Sequence, residues 1–279
     1  GDLIMTDCIV RNNSATMRGG GVLFQTASTD ATFTNCDFLS NTCSRDSTFA
    51  GGGVYISPTD STNTVLFTGC NFTENQATAS GGGGGAVMIV RGVVSFSNCD
   101  FLNNSSLYYG GGILGRHYAT GDLITLTVEA GTFQNNSSRH GGGICLIRYN
   151  GGYDASLTVR DSTFTSNTAA SGSGGAINMT DCLTGVVENS TFTENTCATG
   201  DGGAIYFYYA LGSLTVTDCD FLTHPLTGSD ADGGAVYVTG NGALSYFTRC
   251  LFHGKYTGTR GPVAGQLLIQ HCRPPHGTC

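Results

Sequence analysis

Short segments of alternating apolar and polar residues recur about every 30 residues along the chain. Each segment leads to an aromatic or apolar anchor, and successive anchors lie 28 to 34 residues apart. The residue five positions before the anchor is apolar in all nine copies, the residue seven before it is mostly apolar, and the positions between are largely Thr, Ser, Glu or Arg. This period-two alternation predicts a half-buried strand in every copy, and a fixed repeat of this length is typical of a solenoid. The anchors are Val10, Phe38, Phe72, Phe101, Phe133, Phe164, Phe192, Phe221 and Phe252.

An Asn stands three residues after the anchor in the first seven copies, six of which read Phe-x-x-Asn. We expect the aromatic anchors to form a buried ladder and each Asn to hydrogen-bond its own bend and the Asn of the next rung. Asn13 begins this amide ladder, and His224 and Lys255 end it. Its members are Asn13, Asn41, Asn75, Asn104, Asn136, Asn167 and Asn195.

A Gly-Gly pair opens a second strand in most copies, for example before Val54 and before Ile113. Glycine permits a positive φ and a close backbone approach at a corner. Two strands and several bends per repeat predict an all-β, single-domain parallel β-helix of about nine rungs, expected to be right-handed. We assign residues 1–260 to the repeat array and residues 261–279 to a Pro- and Cys-containing C-terminal cap or tail.

Composition favours an extracellular or cell-surface protein. The chain has 43 Gly, 12 Cys, 11% charged residues and a net charge of −8, and its only lysine is Lys255. These values argue against a groove that binds nucleic acid. The sequence contains no run of eighteen apolar residues, so we expect no direct membrane insertion of this chain. The cysteines favour an oxidising compartment, and because the chain opens in what reads as a repeat strand we expect it to be part of a longer precursor. Candidate N-glycosylation sites are Asn12, Asn71, Asn103, Asn104, Asn135, Asn136, Asn178 and Asn189.

The paired motifs carry a family resemblance. Gly-Gly followed by two small or apolar residues, together with Phe-x-x-Asn, resembles the repeat of polymorphic outer membrane proteins, the autotransporter adhesins of chlamydiae. The likeness covers about residues 3 to 255 and is specific to the repeat. It implies an adhesive surface role, and a eukaryotic cell-surface glycoprotein that uses the same repeat is the alternative.

Cysteine occupies the position two residues before the anchor in six copies. Neighbouring rungs of a β-helix lie about 4.8 Å apart, which a disulfide between rungs, such as Cys70 to Cys99, tolerates. We favour small buried thiols over such bridges, and we expect Cys145 to be a core residue. In the tail, two His and two Cys would suit zinc, but their spacing fits a Cys272 to Cys279 disulfide better. The column consists of Cys8, Cys36, Cys70, Cys99, Cys219 and Cys250.

Catalysis would need two or three carboxylates converging on one outer face, as in the lyases and hydrolases that share this architecture. The best candidates are Asp161, Asp218 and Asp220, with Arg160 or Arg249 nearby, but the intervening copy has Asn and Thr at the corresponding positions. Aspartate beside a bend is ordinary turn chemistry. We therefore expect no enzyme, and a polysaccharide lyase or glycoside hydrolase is the alternative.

Two further surface patterns are weaker. Thr32-x-Thr34 and Thr215-x-Thr217 have the spacing of ice-binding arrays, but charged and apolar residues interrupt the columns, so ice binding is a minor alternative. Tyr206, Tyr208 and Tyr237 form an outward aromatic stripe beside Asn178 that could bind a glycan or a partner.

The leading prediction is a non-enzymatic extracellular rod, either an adhesin or a subunit of a fibre, sheath or wall. We predict no cofactor and no metal. The expected partners are further copies of the chain, other extracellular surface proteins or glycans.

Overall fold

The computed structural model is an all-β solenoid built from four parallel sheets. It describes residues 2–25, 29–44, 50–78, 82–117, 123–148, 155–208, 212–225, 232–240, 244–253 and 268–270. No helix occurs in this part of the chain, and hence none that is long and apolar enough to span a membrane. Every strand pairs in parallel with the equivalent strand one repeat away, so the predicted parallel β-helix is confirmed.

The four sheets follow one another in each repeat. The first sheet comprises Leu3–Thr6, Ala31–Thr34, Thr64–Thr68, Gly92–Ser97, Ile124–Glu129, Ala155–Arg160, Thr184–Glu188, Ser213–Thr217, Leu244–Thr248 and Leu268–Gln270. The second comprises Ile9–Arg11, Asp37–Leu39, Asn71–Thr73, Asp100–Leu102, Thr132–Gln134, Thr163–Thr165, Thr191–Thr193, Asp220–Leu222 and Leu251–His253. The third comprises Ser14–Ala15, Thr42–Cys43, Gln76–Ala77, Ser105–Ser106, Ser137–Ser138, Thr168–Ala169 and Thr196–Cys197. The fourth comprises Val22–Phe24, Val54–Ile56, Val87–Ile89, Ile113–His117, Ile144–Arg148, Ile177–Thr180, Ile205–Tyr208 and Val236–Thr239.

We number the rungs by their first-sheet strand, so that rung 1 begins at Leu3 and rung 6 at Ala155. Seven rungs carry a strand in all four sheets within the described residues, which is slightly fewer than the nine repeats counted in the sequence. Each complete rung has four strands where the sequence predicted two. The additional strands hold the anchor and the two residues after the Asn, and they are only two or three residues long, too short for periodicity to register.

The interior is filled by side chains that stack on their equivalents in neighbouring rungs. The column five residues before the anchor and the anchors themselves belong to one continuous core. Anchor rings in successive rungs, from Phe38 to Phe252, stack with centroids 4.5 to 4.9 Å apart and planes within 9°. This spacing matches the distance between paired strands, so each ring from Phe72 to Phe221 is buried between two others.

In rungs 1 to 8, two corners are each made by a single residue in the left-handed region. In the first corner, between the first and second sheets, φ lies between 47° and 62°, and the residues are mostly Asp, Asn or Gly, which tolerate that conformation best. Ala130 and Arg249 are exceptions. The second corner, between the second and third sheets, has the same geometry at residues such as Glu74 and Glu194. The side chains at this corner vary between rungs, so the sequence alone does not reveal it.

The third corner, between the third and fourth sheets, contains the glycine run, and the glycines there have different tasks. Gly110 has a φ of +55°. A Cβ on Gly111 would overlap the carbonyl oxygen of Gly142 in the next rung. The run therefore supplies one left-handed residue and one position with no room for a side chain.

The predicted boundary at residue 260 falls outside the described residues. Leu268–Gln270 pairs with Tyr246–Thr248 as the last strand of the first sheet. The division into an array and a C-terminal cap stays a prediction.

Candidate functional site

The Asn column lies in the interior, where it links three consecutive rungs. The Asn104 side chain is fully buried. Its amide nitrogen donates to the carbonyl oxygen of Phe72 in the preceding rung (2.8 Å) and to Oδ1 of Asn136 in the next (3.0 Å). Its Oδ1 accepts from the backbone nitrogen (2.9 Å) and the side-chain amide (3.1 Å) of Asn75. The same pattern recurs from Asn41 to Asn195.

The amide partners differ from those predicted in one respect. The side chain bonds the anchor carbonyl of the previous rung, as with Phe72, and not its own bend. Each Asn thus ties its rung to both neighbours, and a buried network of this kind is fully satisfied by its own members. The arrangement is structural and offers no open group for chemistry.

His224 occupies the Asn position in rung 8, as predicted. Its Nδ1 lies 3.3 Å from the carbonyl oxygen of Asn195, and burial lowers the pKa of its imidazole to about 4. The neutral ring therefore replaces an amide at the end of the ladder. Lys255, the other predicted terminator, lies outside the described residues.

The six cysteines before the anchors point inward, and all but the half-buried Cys8 are buried. All ten described cysteines are free thiols. In the column, Cys70 Sγ donates to the carbonyls of Phe33 and Thr68 at 3.5 Å, and the hydrogen bond with Cys70 together with burial raises the pKa of Cys99. A buried thiol with a raised pKa, such as that of Cys99, is inert towards electrophiles. Cys272 and Cys279 lie outside the described residues, so their disulfide stays a prediction.

Cys145 is buried, but not in the main core. It faces outward from the fourth sheet and belongs to a second apolar cluster, where burial raises the pKa of its thiol to about 12. The strand alternates, so Ile144 and Leu146 take the inward positions. The second cluster was not predicted because it lies on the outer side of the fourth sheet, where period-two alternation indicates exposed residues. Tyr109 and Ile147 pack against it. Its buried members are Tyr55, Met88, Val90, Leu114 and Cys145.

The candidate catalytic carboxylates do not converge. Asp161 and Asp218 are left-handed bend residues two rungs apart, with Asn189 between them. Asp218 forms an ion pair with Arg249, whose Nε lies 2.7 Å from Oδ1. Arg160 is paired with Glu188 at 2.7 Å. These two ion pairs leave neither Asp218 nor Glu188 as a free carboxylate of the kind that glycoside hydrolysis requires.

The outward threonines of the first sheet do not form an unbroken array. Thr34 pairs in register with Thr68, but further along the same column the charged pair of Arg160 and Glu188 interrupts it. Leu66 follows Thr32 and is 42% exposed. A continuous hydroxyl lattice is therefore missing from this face.

The eight glycosylation patterns fall into two groups. Asn104, Asn136 and Asn178 are at most 3% exposed, so a glycan on any of them is incompatible with the fold. The other five asparagines are exposed, and four of them occupy left-handed corner positions. The exposed group consists of Asn12, Asn71, Asn103, Asn135 and Asn189.

The outer surface beside the third corner carries two aromatic clusters of opposite charge. We call Tyr108, Tyr109, Arg116, Arg139 and His140 the cationic patch. The Arg139 guanidinium donates to the Tyr108 hydroxyl (2.9 Å) and lies 5.0 Å from its ring centroid. The Tyr109 ring stacks on His140 at 5.4 Å, and Arg116 lies over Tyr109 at 5.4 Å. The patch lies in rungs 4 and 5.

We call Asp201, Tyr206, Asp232 and Tyr237 the acidic patch, which lies in rungs 7 and 8. The two tyrosine rings stack at 5.6 Å, and the backbone nitrogen of Asp232 donates to Asp201 Oδ1 (2.8 Å). The predicted stripe thus exists as a stacked pair, with Tyr208 42% exposed further along the strand. Asn178 lies in the same column but is buried.

No group of three His, Cys, Asp or Glu side chains is placed to hold a metal ion in the part of the chain that the structure describes. The two His and two Cys of the tail lie outside it.

Comparison with known families identifies the repeat. The model of the Chlamydia polymorphic membrane protein repeat matches residues 161–180 and 189–208. The chain carries Pmp-like repeats. The two matched segments are consecutive, and each runs from a first-corner bend through Phe-x-x-Asn to the strand after the glycines. Each match therefore covers the second-, third- and fourth-sheet strands of one rung, and the first-sheet strand Thr184–Glu188 lies between the two matches. No curated protein and no solved structure matches the chain.

Proposed function

We propose that this chain is a surface-exposed β-helix rod that acts by adhesion and not by catalysis. The observation that carries the proposal is the Pmp-like repeat in two adjacent rungs, because Pmp family members are outer-membrane or surface proteins. The residues that define the repeat are buried in the amide and aromatic ladders. The loops and corners are thus available to vary, and binding residues tend to lie on loops held by a rigid scaffold.

The state of the carboxylates supports a non-enzymatic role. Asp218 is engaged by Arg249, Glu188 by Arg160, and Asp161 serves a bend. A polysaccharide lyase or hydrolase needs such groups free and facing a common substrate. A structural role as a subunit of a fibre, sheath or wall is the second candidate, since the ends of a β-solenoid present unpaired strand edges that can pair with another chain.

Adhesion can be tested with latex beads coated with the folded chain and applied to epithelial monolayers. We expect many more beads coated with the folded chain to be retained than beads coated with the heat-denatured chain. Pretreatment of the cells with glycosidases or with trypsin distinguishes glycan receptors from protein receptors. Equal retention of the two bead types would contradict adhesion.

The enzymatic alternative has its own assay. Polygalacturonate, alginate and chondroitin sulfate are incubated with the chain while unsaturated products and reducing ends are measured. We expect no turnover. Turnover that disappears in Asp218→Ala and Asp220→Ala, but persists in Asp161→Ala, would replace the adhesive proposal with a catalytic one.

A further inference from the structure

The cationic and acidic patches occupy equivalent positions along one edge of the rod. Tyr109, His140, Ser173, Asp201 and Asp232 each precede the positive-φ glycine of their rung. Backbone hydrogen bonds at this corner link successive rungs. The nitrogen of His140 donates to the carbonyl oxygen of Tyr108, and the glycines that follow His140, Ser173 and Asp201 donate to the carbonyl oxygens of Ser173, Asp201 and Asp232, respectively. One column therefore changes along the rod from aromatic and basic in rungs 4 and 5 to acidic in rungs 7 and 8.

The exposed charge of the cationic patch is that of Arg139, and the acidic patch carries the two carboxylates of Asp201 and Asp232. Arg139 is exposed and makes no ion pair in the described part of the chain. Burial and the charge of Arg139 lower the pKa of His140. In the other patch, burial raises the pKa of Asp201. Asp232 Oδ1 is buried and lacks a hydrogen-bond partner among the described residues.

The two patches are equidistant from rung 6. A two-fold axis through the third corner of rung 6, perpendicular to the rod, places rung 5 of one copy against rung 7 of the other and rung 4 against rung 8. Arg139 and His140 then face Asp201, and Tyr109 faces Asp232. The corner at the axis is Ser171-Gly172-Ser173, whose small side chains permit close approach.

We propose that the third corner is the interface of an antiparallel two-fold dimer of this chain. A two-fold interface must be complementary to itself, and this edge meets that condition because each patch faces its opposite. The contact is a narrow edge, so the dimer belongs to the weak class of interfaces, and its charge pairing makes it sensitive to salt. The proposal does not depend on whether the rod is adhesive.

Sedimentation equilibrium tests the charge pairing. We expect a monomer–dimer equilibrium whose Kd rises at least about tenfold between low salt and about 0.5 M NaCl. Arg139→Glu and Asp201→Arg should each weaken the dimer at least about tenfold. An equimolar mixture of the two variants should recover an affinity within about threefold of the native value, because both contacts across the axis become attractive again. Arg160→Glu, at the end of a first-sheet strand and away from the third corner, is the charge-reversal control and should leave the Kd unchanged.

A cross-link tests the geometry without relying on Asp201. Ser171 is exposed and lies at the axis, so Ser171→Cys should form a disulfide with its own copy under mild oxidation. Peptide mapping should then find the two copies joined through the substituted residue. Thr199→Cys, exposed one rung further on, faces rung 5 of the partner and should give no link to itself.

The outcomes separate the alternatives. A chain that stays monomeric at all concentrations overturns the proposal. A dimer that the charge variants do not weaken and that the Ser171→Cys variant does not cross-link also overturns it, and would indicate end-to-end stacking. A monomer that binds heparin through Arg139 overturns it as well and assigns the cationic patch to an anionic ligand.

Discussion

Removal of one amide from the centre of the ladder tests whether the buried asparagines stabilise the fold. Asn104→Ala deletes two hydrogen bonds accepted by Oδ1 and two donated by Nδ2. The methyl group that remains satisfies none of them. Asn104 lies in rung 4, covered by rung 3 on one side and rung 5 on the other, and it is fully buried. Water therefore cannot replace the lost partners.

The magnitude follows from the groups left without partners. The backbone N–H of Asn75 and one N–H of its side chain both lose their acceptor, Asn104 Oδ1. An unsatisfied buried donor costs about 1–3 kcal/mol, and the Phe72 carbonyl loses a donor as well. We therefore expect a loss of about 4 kcal/mol in the free energy of unfolding.

Urea denaturation followed by circular dichroism measures this loss, with midpoint and m-value compared between variants. Asn13→Ala is the matched control, because Asn13 is exposed at the end of the ladder and, among the described residues, its amide donates to Asn41 alone. It should cost less than about 1 kcal/mol. If Asn104→Ala cost no more than Asn13→Ala, the ladder would not stabilise the fold and the reasoning would be wrong.

Four further predictions concern single positions. Ala130 has a φ of 50°, so Ala130→Gly should raise the free energy of unfolding by about 1 kcal/mol, and an unchanged or lower melting temperature would refute this. Because burial lowers the pKa of His224 from 6.5 to about 4, the folded state binds fewer protons than the unfolded state between these values. Stability should therefore fall by up to about 3 kcal/mol as the pH drops from about 6.5 to about 4. His224→Asn should flatten that part of the pH profile, and an unaltered profile would exclude His224 as its source. In a eukaryotic secretory host, peptide mapping should find glycans only among Asn12, Asn71, Asn103, Asn135 and Asn189, and an occupied Asn104 in folded protein would contradict the buried ladder. Cys99 and Cys145 should react with iodoacetamide only after denaturation, since their pKa values are raised, and labelling in native buffer would argue against the packing.

The stacked columns were predictable because a solenoid places equivalent residues directly above one another. The anchors, the apolar column before them and the first-corner bends could each be read from residue type at a fixed spacing. The neighbours of Phe101 and Asn104 in space are equivalent to those of Phe133 and Asn136. Nine imperfect copies of the repeat therefore give nine independent examples of the same local environment.

Features that depend on loops could not be read in this way. The two-residue strand Ser105–Ser106 carries no periodic signal, and the second-corner column varies from Asn to Glu because only its φ is shared. Cys145 faces a cluster closed by residues such as Tyr109 from the loops. The two charged patches depend on which loop residues precede the glycines, and no spacing rule ties Arg139 to Asp201.

Successive repeats stack as rungs of one continuous parallel solenoid. Distances between genetically encoded spin labels on the outer face of the second sheet test it, with one label at Asp37 and the other at Thr163, Thr191 or Asp220. These residues lie four, five and six rungs from Asp37 in register. Stacked rungs should give separations of about 19, 24 and 29 Å, rising by about 4.8 Å with each rung. Distances that fail to increase in equal steps would contradict the stacked solenoid.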